Sequence, residues 1–109
     1  MKTLLRLKIS PRAVEDMRGL RLYIRDTLCD PTAAERTVDA LFDAMERLRA
    51  FPSSGAPLNS GLPVLAPYRR LAVGRYQVFY RFDEKEVFVV RVLHELRDQL
   101  AILLSEVSE

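Results

Sequence analysis

His94 is the side chain of this chain best suited to proton transfer, because an imidazole changes its charge near neutral pH. It is the one histidine among 109 residues, and no serine or cysteine nucleophile stands beside it in a recognisable motif. The sequence has no glycine-rich phosphate loop and no residues with metal-ligand spacing. A lone histidine at the end of a strand-like run is typical of a hydrogen-bonded structural residue. The sequence therefore indicates no catalytic set and no cofactor or metal site.

Arginine dominates the positive charge, with 14 of the 17 basic residues, and its guanidinium suits bidentate contacts to carboxylates or phosphates. The net charge of +2 is unevenly distributed: residues 1–12 carry +4 and residues 68–97 carry +3, whereas residues 98–109 carry −3. Residues 51–67 contain no charged side chain. Either an acidic or phosphate-bearing partner or a generally arginine-rich proteome accounts for this excess.

Composition and length exclude several classes of protein. No apolar run approaches the ~20 residues of a membrane span, and Arg6 and Lys8 interrupt the N-terminal segment where a signal peptide would be continuously apolar. We therefore expect a cytoplasmic protein that does not contact the membrane. Cys29 is the one cysteine, which excludes an internal disulfide and argues against structural zinc. The length predicts a single domain over residues 1–109.

Hydrophobic spacing and start signals predict the elements that must position these groups. Ser10-Pro11 and Asp30-Pro31 are helix starts, each with an N-cap residue followed by proline. The predicted elements are a strand over 3–9, helices over 11–28 and 31–50, a loop over 51–67, strands over 68–73, 75–82 and 86–94, and a C-terminal helix from Asp98. The order β-α-α-β-β-β-α predicts an α+β fold, with a helical hairpin packed on a small, mainly antiparallel sheet.

Strand alternation divides the side chains between two faces of the predicted sheet. Tyr76, Val78 and Tyr80 are expected to pack against the helical hairpin, where their partners are Met17, Ile24, Leu41 and Met45. In the last strand, the residues expected on this same face are Phe88, Val90, Val92 and His94. The opposite, open face would present a binding surface for a phosphate backbone or an acidic peptide, or else an ordinary solvated face. Its expected residues are Tyr68, Arg70, Arg75, Gln77, Arg81 and Arg91.

Two sequence runs resemble a known family. YRRLAVGRYQVFYRF, residues 68–82, and VFVVRVLHELRD, residues 87–98, resemble the RelE/ParE superfamily of bacterial type II toxins, which belong to plasmid stabilization systems. The upstream ISP at residues 9–11 and the helical hairpin agree in order and length. The resemblance covers nearly the whole chain and implies growth inhibition, relieved by a small, acidic cognate antitoxin. It also implies one of two targets, DNA gyrase or ribosome-bound mRNA.

The ribonuclease branch of this superfamily is only partly matched. If the chain were a ribosome-dependent mRNA endonuclease, Arg70, Arg81 and His94 would be its catalytic residues. The branch places further functional groups where this chain has Tyr68, Gln77 and, in its C-terminal segment, Ala101. His94 is also expected to face the helices rather than Arg70.

The pattern GRYQVFYR followed by RVLH is more similar to the ParE-like branch. We therefore expect an inhibitor of DNA gyrase, with the endonuclease and a non-toxic, antitoxin-binding family member as the alternatives. The residues expected to contact a partner or nucleic acid are Tyr68, Arg70, Arg75, Gln77, Arg81, Arg91 and Arg97.

Overall fold

The computed structural model describes residues 4–107 of the chain. In chain order, the elements are β1 (Arg6–Ile9), α1 (Pro11–Leu22), α2 (Pro31–Leu48), β2 (Ala56–Pro57), β3 (Arg69–Val73), β4 (Tyr76–Phe82), β5 (Glu86–His94) and α3 (Gln99–Val107). The predicted α+β class is confirmed, and the order differs only by the two-residue strand β2 inside the predicted loop. The first helix is regular to Leu22 and continues as a π-helical turn over Tyr23–Thr27.

Both helix starts form as their residue types predict. The Ser10 side chain accepts a hydrogen bond from the Ala13 N–H at 3.0 Å, and the Asp30 side chain accepts one from the Ala33 N–H at 3.0 Å. Each cap satisfies a backbone donor that the first helical turn leaves free. The Ser10 hydroxyl also donates to the Val90 carbonyl at 2.7 Å, which joins the start of α1 to β5.

The strands form one sheet in the order β1-β5-β4-β3-β2. β1 runs parallel to β5, and the other neighbours are antiparallel. The helical hairpin covers one face, as predicted, and Val78 and Tyr80 are buried there with Tyr76 packed beside them. Their partners from the hairpin include the predicted Met17, Ile24, Leu41 and Met45.

The other face of the sheet is partly covered, and here the prediction of an open face is wrong. α3 and the end of the loop pack on it, and Leu65 and Leu103 are fully buried. Tyr68, expected on the open face as a binding residue, is buried in this second cluster. The apolar side chains of the uncharged loop and of α3 therefore cover sheet residues such as Phe79 and Leu93.

A β-bulge in β5 changes which side chains share a face. Phe79 pairs with Arg91 and Tyr80 pairs with Val89, so Val90 is an extra residue in the ladder. Val92 accordingly joins the hairpin cluster, whereas Val90 packs in the second cluster with Leu93. Strict alternation predicts Phe88 and Val90 on the hairpin side, which is wrong because the inserted residue shifts the pattern by one.

Arg91 is buried beside this bulge, contrary to its expected place on an open binding face. Its Nε and Nη2 donate to the two carboxylate oxygens of Asp16 at 2.7 and 2.8 Å. The same carboxylate accepts the Val92 N–H at 3.0 Å. Glu106 of α3 lies 3.7 Å from Arg91, so one guanidinium joins α1, β5 and α3. Hydrogen bonding to Asp16 raises the pKa of Arg91, against the opposing effect of burial.

Tyr80 fastens the loop to the sheet. Its buried hydroxyl donates to the Pro52 carbonyl at 2.6 Å and accepts the Gly55 N–H at 2.9 Å. A Cβ at Gly55 would lie 2.6 Å from that hydroxyl, so only glycine fits this approach. Arg69 donates to the Gly55 carbonyl at 2.6 Å from the neighbouring strand. The uncharged loop is therefore held at a defined place on the sheet.

Replacing Asp16 by alanine would leave the Arg91 guanidinium buried without its carboxylate. Removing one partner of a buried ion pair costs about 3–5 kcal/mol of unfolding free energy. Glu35→Ala is the matched control, because Glu35 pairs with Arg21 on the surface at 2.7 Å, and exposed pairs contribute about 0.2–1 kcal/mol. Urea denaturation of both variants measures the difference. Equal losses would contradict a special role for the buried pair.

Candidate functional site

Arg70 and Arg81 are the predicted site residues that do reach the uncovered part of the sheet face. Arg70 lies opposite Phe79 in the β3–β4 ladder, and its side chain forms no ion pair within residues 4–107. The Arg81 guanidinium lies 5.0 Å from the centre of the Phe88 ring, a cation–π arrangement. Both residues are exposed. This face therefore presents fixed positive charge to a phosphate or a carboxylate.

His94 lies on the opposite face of the sheet, as alternation predicted. It pairs with Tyr76 across the β4–β5 ladder, and the two rings meet edge to face with centroids 5.2 Å apart. Its Nδ1 accepts the Leu96 N–H at 3.1 Å. The neutral ring therefore carries its proton on Nε2. The sheet separates this imidazole from Arg70 and Arg81.

The remaining predicted binding residues are dispersed. Arg75 lies at the turn between β3 and β4, largely exposed, with Glu95 at 4.0 Å. Arg97 follows the end of β5 and is exposed. Gln77 is half-buried, and its Oε1 is enclosed without a hydrogen-bond donor in the described part of the chain. The structure thus brings Arg70 and Arg81 to one face and places Arg75 and Arg97 elsewhere.

A surface groove beside the helical hairpin is a feature that sequence reasoning missed. It consists of two adjoining hollows of about 490 and 600 Å³, which share four residues. We call this the hairpin groove, and its shared residues are Tyr23, Tyr76, His94 and Leu96. Leu96 is 84% exposed, and Tyr23 is 52% exposed. Apolar side chains held open to this extent are typical of an interaction surface.

The hairpin groove combines an apolar lining with charged side chains of both signs. Burial raises the pKa of the Tyr76 phenol, and the nearby Tyr23 adds to the rise. Arg36, Arg75 and Arg97 line it together with the acidic Glu15 and Asp16. Such a surface fits an amphipathic helix whose apolar stripe is flanked by charged residues, with acidic ones toward the three arginines. The signal in the sequence was Leu96, an apolar residue between Glu95 and Arg97 that belongs to no predicted element.

Within residues 4–107, no group of three or more histidine, cysteine, aspartate or glutamate side chains is placed to hold a metal ion. Among the helices of the same residues, none is long and apolar enough to cross a membrane.

Solved structures share this fold. The chromosomal ParDE toxin–antitoxin system of P. aeruginosa has a chain that superposes with a TM-score of 0.68 at 20% identity, covering 84% of this chain and 96% of that one. The toxin RelE of E. coli, an arginine-to-alanine mutant in the free state, superposes with a TM-score of 0.63 at 20% identity, covering 97% of this chain and 96% of that one. The RelBE2 toxin–antitoxin complex of Mycobacterium tuberculosis has a chain that superposes with a TM-score of 0.59 at 22% identity, covering 86% of this chain and 94% of that one.

Sequence comparison identifies the family within this shared fold. No curated protein sequence is detectably similar to the chain. The family model described as the ParE toxin of the type II toxin-antitoxin system, parDE, matches residues 7–99. That match spans the chain from within β1 to the first residue of α3 and includes every residue that lines the hairpin groove. The chain therefore belongs to the ParE toxin family of type II toxin–antitoxin systems.

Proposed function

We propose that this ParE-family toxin inhibits DNA gyrase by binding it and that a cognate antitoxin neutralises the toxin. The observation that carries the choice of target is the separation of the three side chains that an mRNA endonuclease would use. Arg70 and Arg81 lie on one face of the sheet, and His94 pairs with Tyr76 on the other. Inhibition by binding requires complementary surfaces and no such catalytic set.

RNA cleavage through the 2′-hydroxyl needs proton transfer next to the cations that stabilise the transition state. Arg70 and Arg81 supply charge, but a guanidinium with a pKa above ~12 does not readily transfer a proton near neutral pH. The imidazole that could do so has its Nδ1 engaged by the Leu96 N–H at 3.1 Å. This arrangement supports a binding toxin over a ribonuclease.

The hairpin groove supports the proposal of a protein antitoxin. The solved relatives from P. aeruginosa and M. tuberculosis come from toxin–antitoxin assemblies. For this chain, we propose that an amphipathic helix of a small acidic antitoxin occupies the hairpin groove. Its apolar residues would cover Tyr23 and Leu96, and its acidic residues would approach Arg36, Arg75 and Arg97.

The target is tested with the purified protein. We expect it to inhibit gyrase-catalysed supercoiling of relaxed plasmid and to leave ribosome-bound mRNA intact in primer extension. An equimolar amount of the antitoxin should restore supercoiling. Cleaved mRNA with unaffected gyrase would establish the endonuclease instead, and an absence of growth arrest on induction would indicate a non-toxic family member.

Leu96→Asp tests the hairpin groove. The Leu96 side chain is 84% exposed, so the substitution costs little unfolding free energy. A carboxylate buried against the apolar helix of the antitoxin should weaken binding by about tenfold or more. Val64→Asp is the control, since Val64 is 42% exposed and lies outside the hairpin groove. Calorimetric titration with the antitoxin measures both affinities. Equal affinities would place the antitoxin helix elsewhere.

A further inference from the structure

We propose that a hollow between α1, β5 and α3 binds a terminal phosphate group, either as inorganic phosphate or at the end of a nucleotide. The hollow has a volume of about 380 Å³. We call it the arginine hollow, because Arg12, Arg91 and Arg97 line it together with Ser105 and Glu106 of α3. It adjoins the hairpin groove at Arg97, and the proposal depends neither on the target of the toxin nor on the antitoxin.

Arg91 is the fixed member of the arginine hollow. Its side chain is only 6% exposed, and its Nε and Nη2 donate to the Asp16 carboxylate at 2.7 and 2.8 Å. This fork holds the plane of the guanidinium in one orientation. The remaining nitrogen, Nη1, lies 3.7 Å from a Glu106 carboxylate oxygen, which is beyond hydrogen-bond distance. Nη1 is therefore a positioned donor whose hydrogen-bonding capacity Asp16 leaves unused.

Arg12 and Arg97 bring two further guanidinium groups from other parts of the chain. Arg12 lies in the first turn of α1 with its Nε 3.8 Å from Glu106, and Arg97 follows the end of β5. Apart from that long contact of Arg12, neither guanidinium has an ion pair or a hydrogen bond within residues 4–107. The arginine hollow therefore holds more charged donors than its one carboxylate satisfies.

The number and placement of these donors favour a phosphate over a carboxylate. One forked guanidinium satisfies a carboxylate, as Arg91 does for Asp16. A phosphate has several strong acceptor oxygens in a tetrahedral arrangement, so it can accept from guanidinium groups on different sides. Three arginines and one glutamate give the lining a formal charge of +2. This charge matches a terminal phosphate near pH 7, which carries about −1.5 to −2.

Glu106 is the internal competitor of the proposed phosphate. Its carboxylate lies 3.8 Å from Arg12 and 3.7 Å from Arg91, and its side chain is 26% exposed. It lowers the positive charge of the arginine hollow without a hydrogen bond to either guanidinium. Loss of this carboxylate should therefore strengthen phosphate binding, whereas loss of an arginine should weaken it. Opposite signs within one hollow distinguish a phosphate site from a general effect of net charge on folding.

Calorimetric titration of the full chain with inorganic phosphate tests the site. We expect Arg12→Gln and Arg97→Gln each to weaken binding about tenfold or more, because each removes a charged donor. Glu106→Gln should strengthen binding about threefold or more, because it removes a like charge. Arg18→Gln is the matched control and should bind like the unmodified chain, since Arg18 is exposed on α1 outside the arginine hollow. Arg91 stays unchanged in every variant because Asp16 and the fold depend on it.

Two further titrations identify the molecule that carries the phosphate. Adenosine 5′-monophosphate presents a terminal phosphate on a nucleoside, and a blunt DNA duplex without 5′-phosphates presents only diesters. Tighter binding of the nucleotide than of inorganic phosphate, with the same dependence on Arg12 and Glu106, would support a nucleotide ligand. Equal affinities would support inorganic phosphate. Tighter binding of the duplex than of either would overturn the terminal phosphate in favour of the nucleic-acid backbone.

Three results would overturn the proposal. They are an absence of phosphate binding to the unmodified chain, an equal loss of affinity in Arg18→Gln, and binding of acetate as tight as that of phosphate. Melting temperatures show whether each variant is folded, and the gain expected for Glu106→Gln cannot arise from misfolding. None of these results bears on the proposed function, which the supercoiling assay and the titration with the antitoxin test separately.

Discussion

The buried pair of Asp16 and Arg91 is the interaction on which the rest of the structure depends. Burying two charges is costly, and only close geometry with further hydrogen bonds offsets that cost. Here the carboxylate accepts two guanidinium donors at 2.7 and 2.8 Å and the Val92 N–H at 3.0 Å. The guanidinium also approaches Glu106 at 3.7 Å. The pair therefore sets how α1 lies across β5 and where α3 ends. Because α1 lines the hairpin groove, the pair also fixes one side of that groove.

Local sequence signals predict most of the helices and strands. They do not predict in every strand which side chains share a face of the sheet. The caps at Ser10 and Asp30 act over three residues, so the sequence shows them directly. The bulge at Val90 is a property of the pairing between β4 and β5, and no local residue type marks it. This one insertion accounts for the wrong face of Phe88 and Val90.

The candidate site was predictable only in part, because it depends on contacts between distant elements. The faces of Arg70 on β3 and Arg81 on β4 follow from alternation, since the pairing of these two strands contains no bulge. Tyr68 was assigned to a solvated face because the packing of Leu103 on that face is a tertiary contact. The hairpin groove depends on the π-helical turn that holds Tyr23 outward, which hydrophobic spacing does not reveal. The same fold can carry different activities, so the function follows from these surfaces and not from the fold alone.

We propose that the toxin acts through its surfaces and that His94 has a structural role. His94→Asn tests it most directly, because the amide oxygen can replace Nδ1 as acceptor for the Leu96 N–H while no titratable ring remains. The measurement is the rate of growth arrest on induction, at matched protein level and with the melting temperature as the check on folding. We predict arrest at the rate of the unmodified toxin. A folded variant whose toxic activity falls by about 10²–10⁴-fold, the loss expected for a proton-transfer group, would contradict the account.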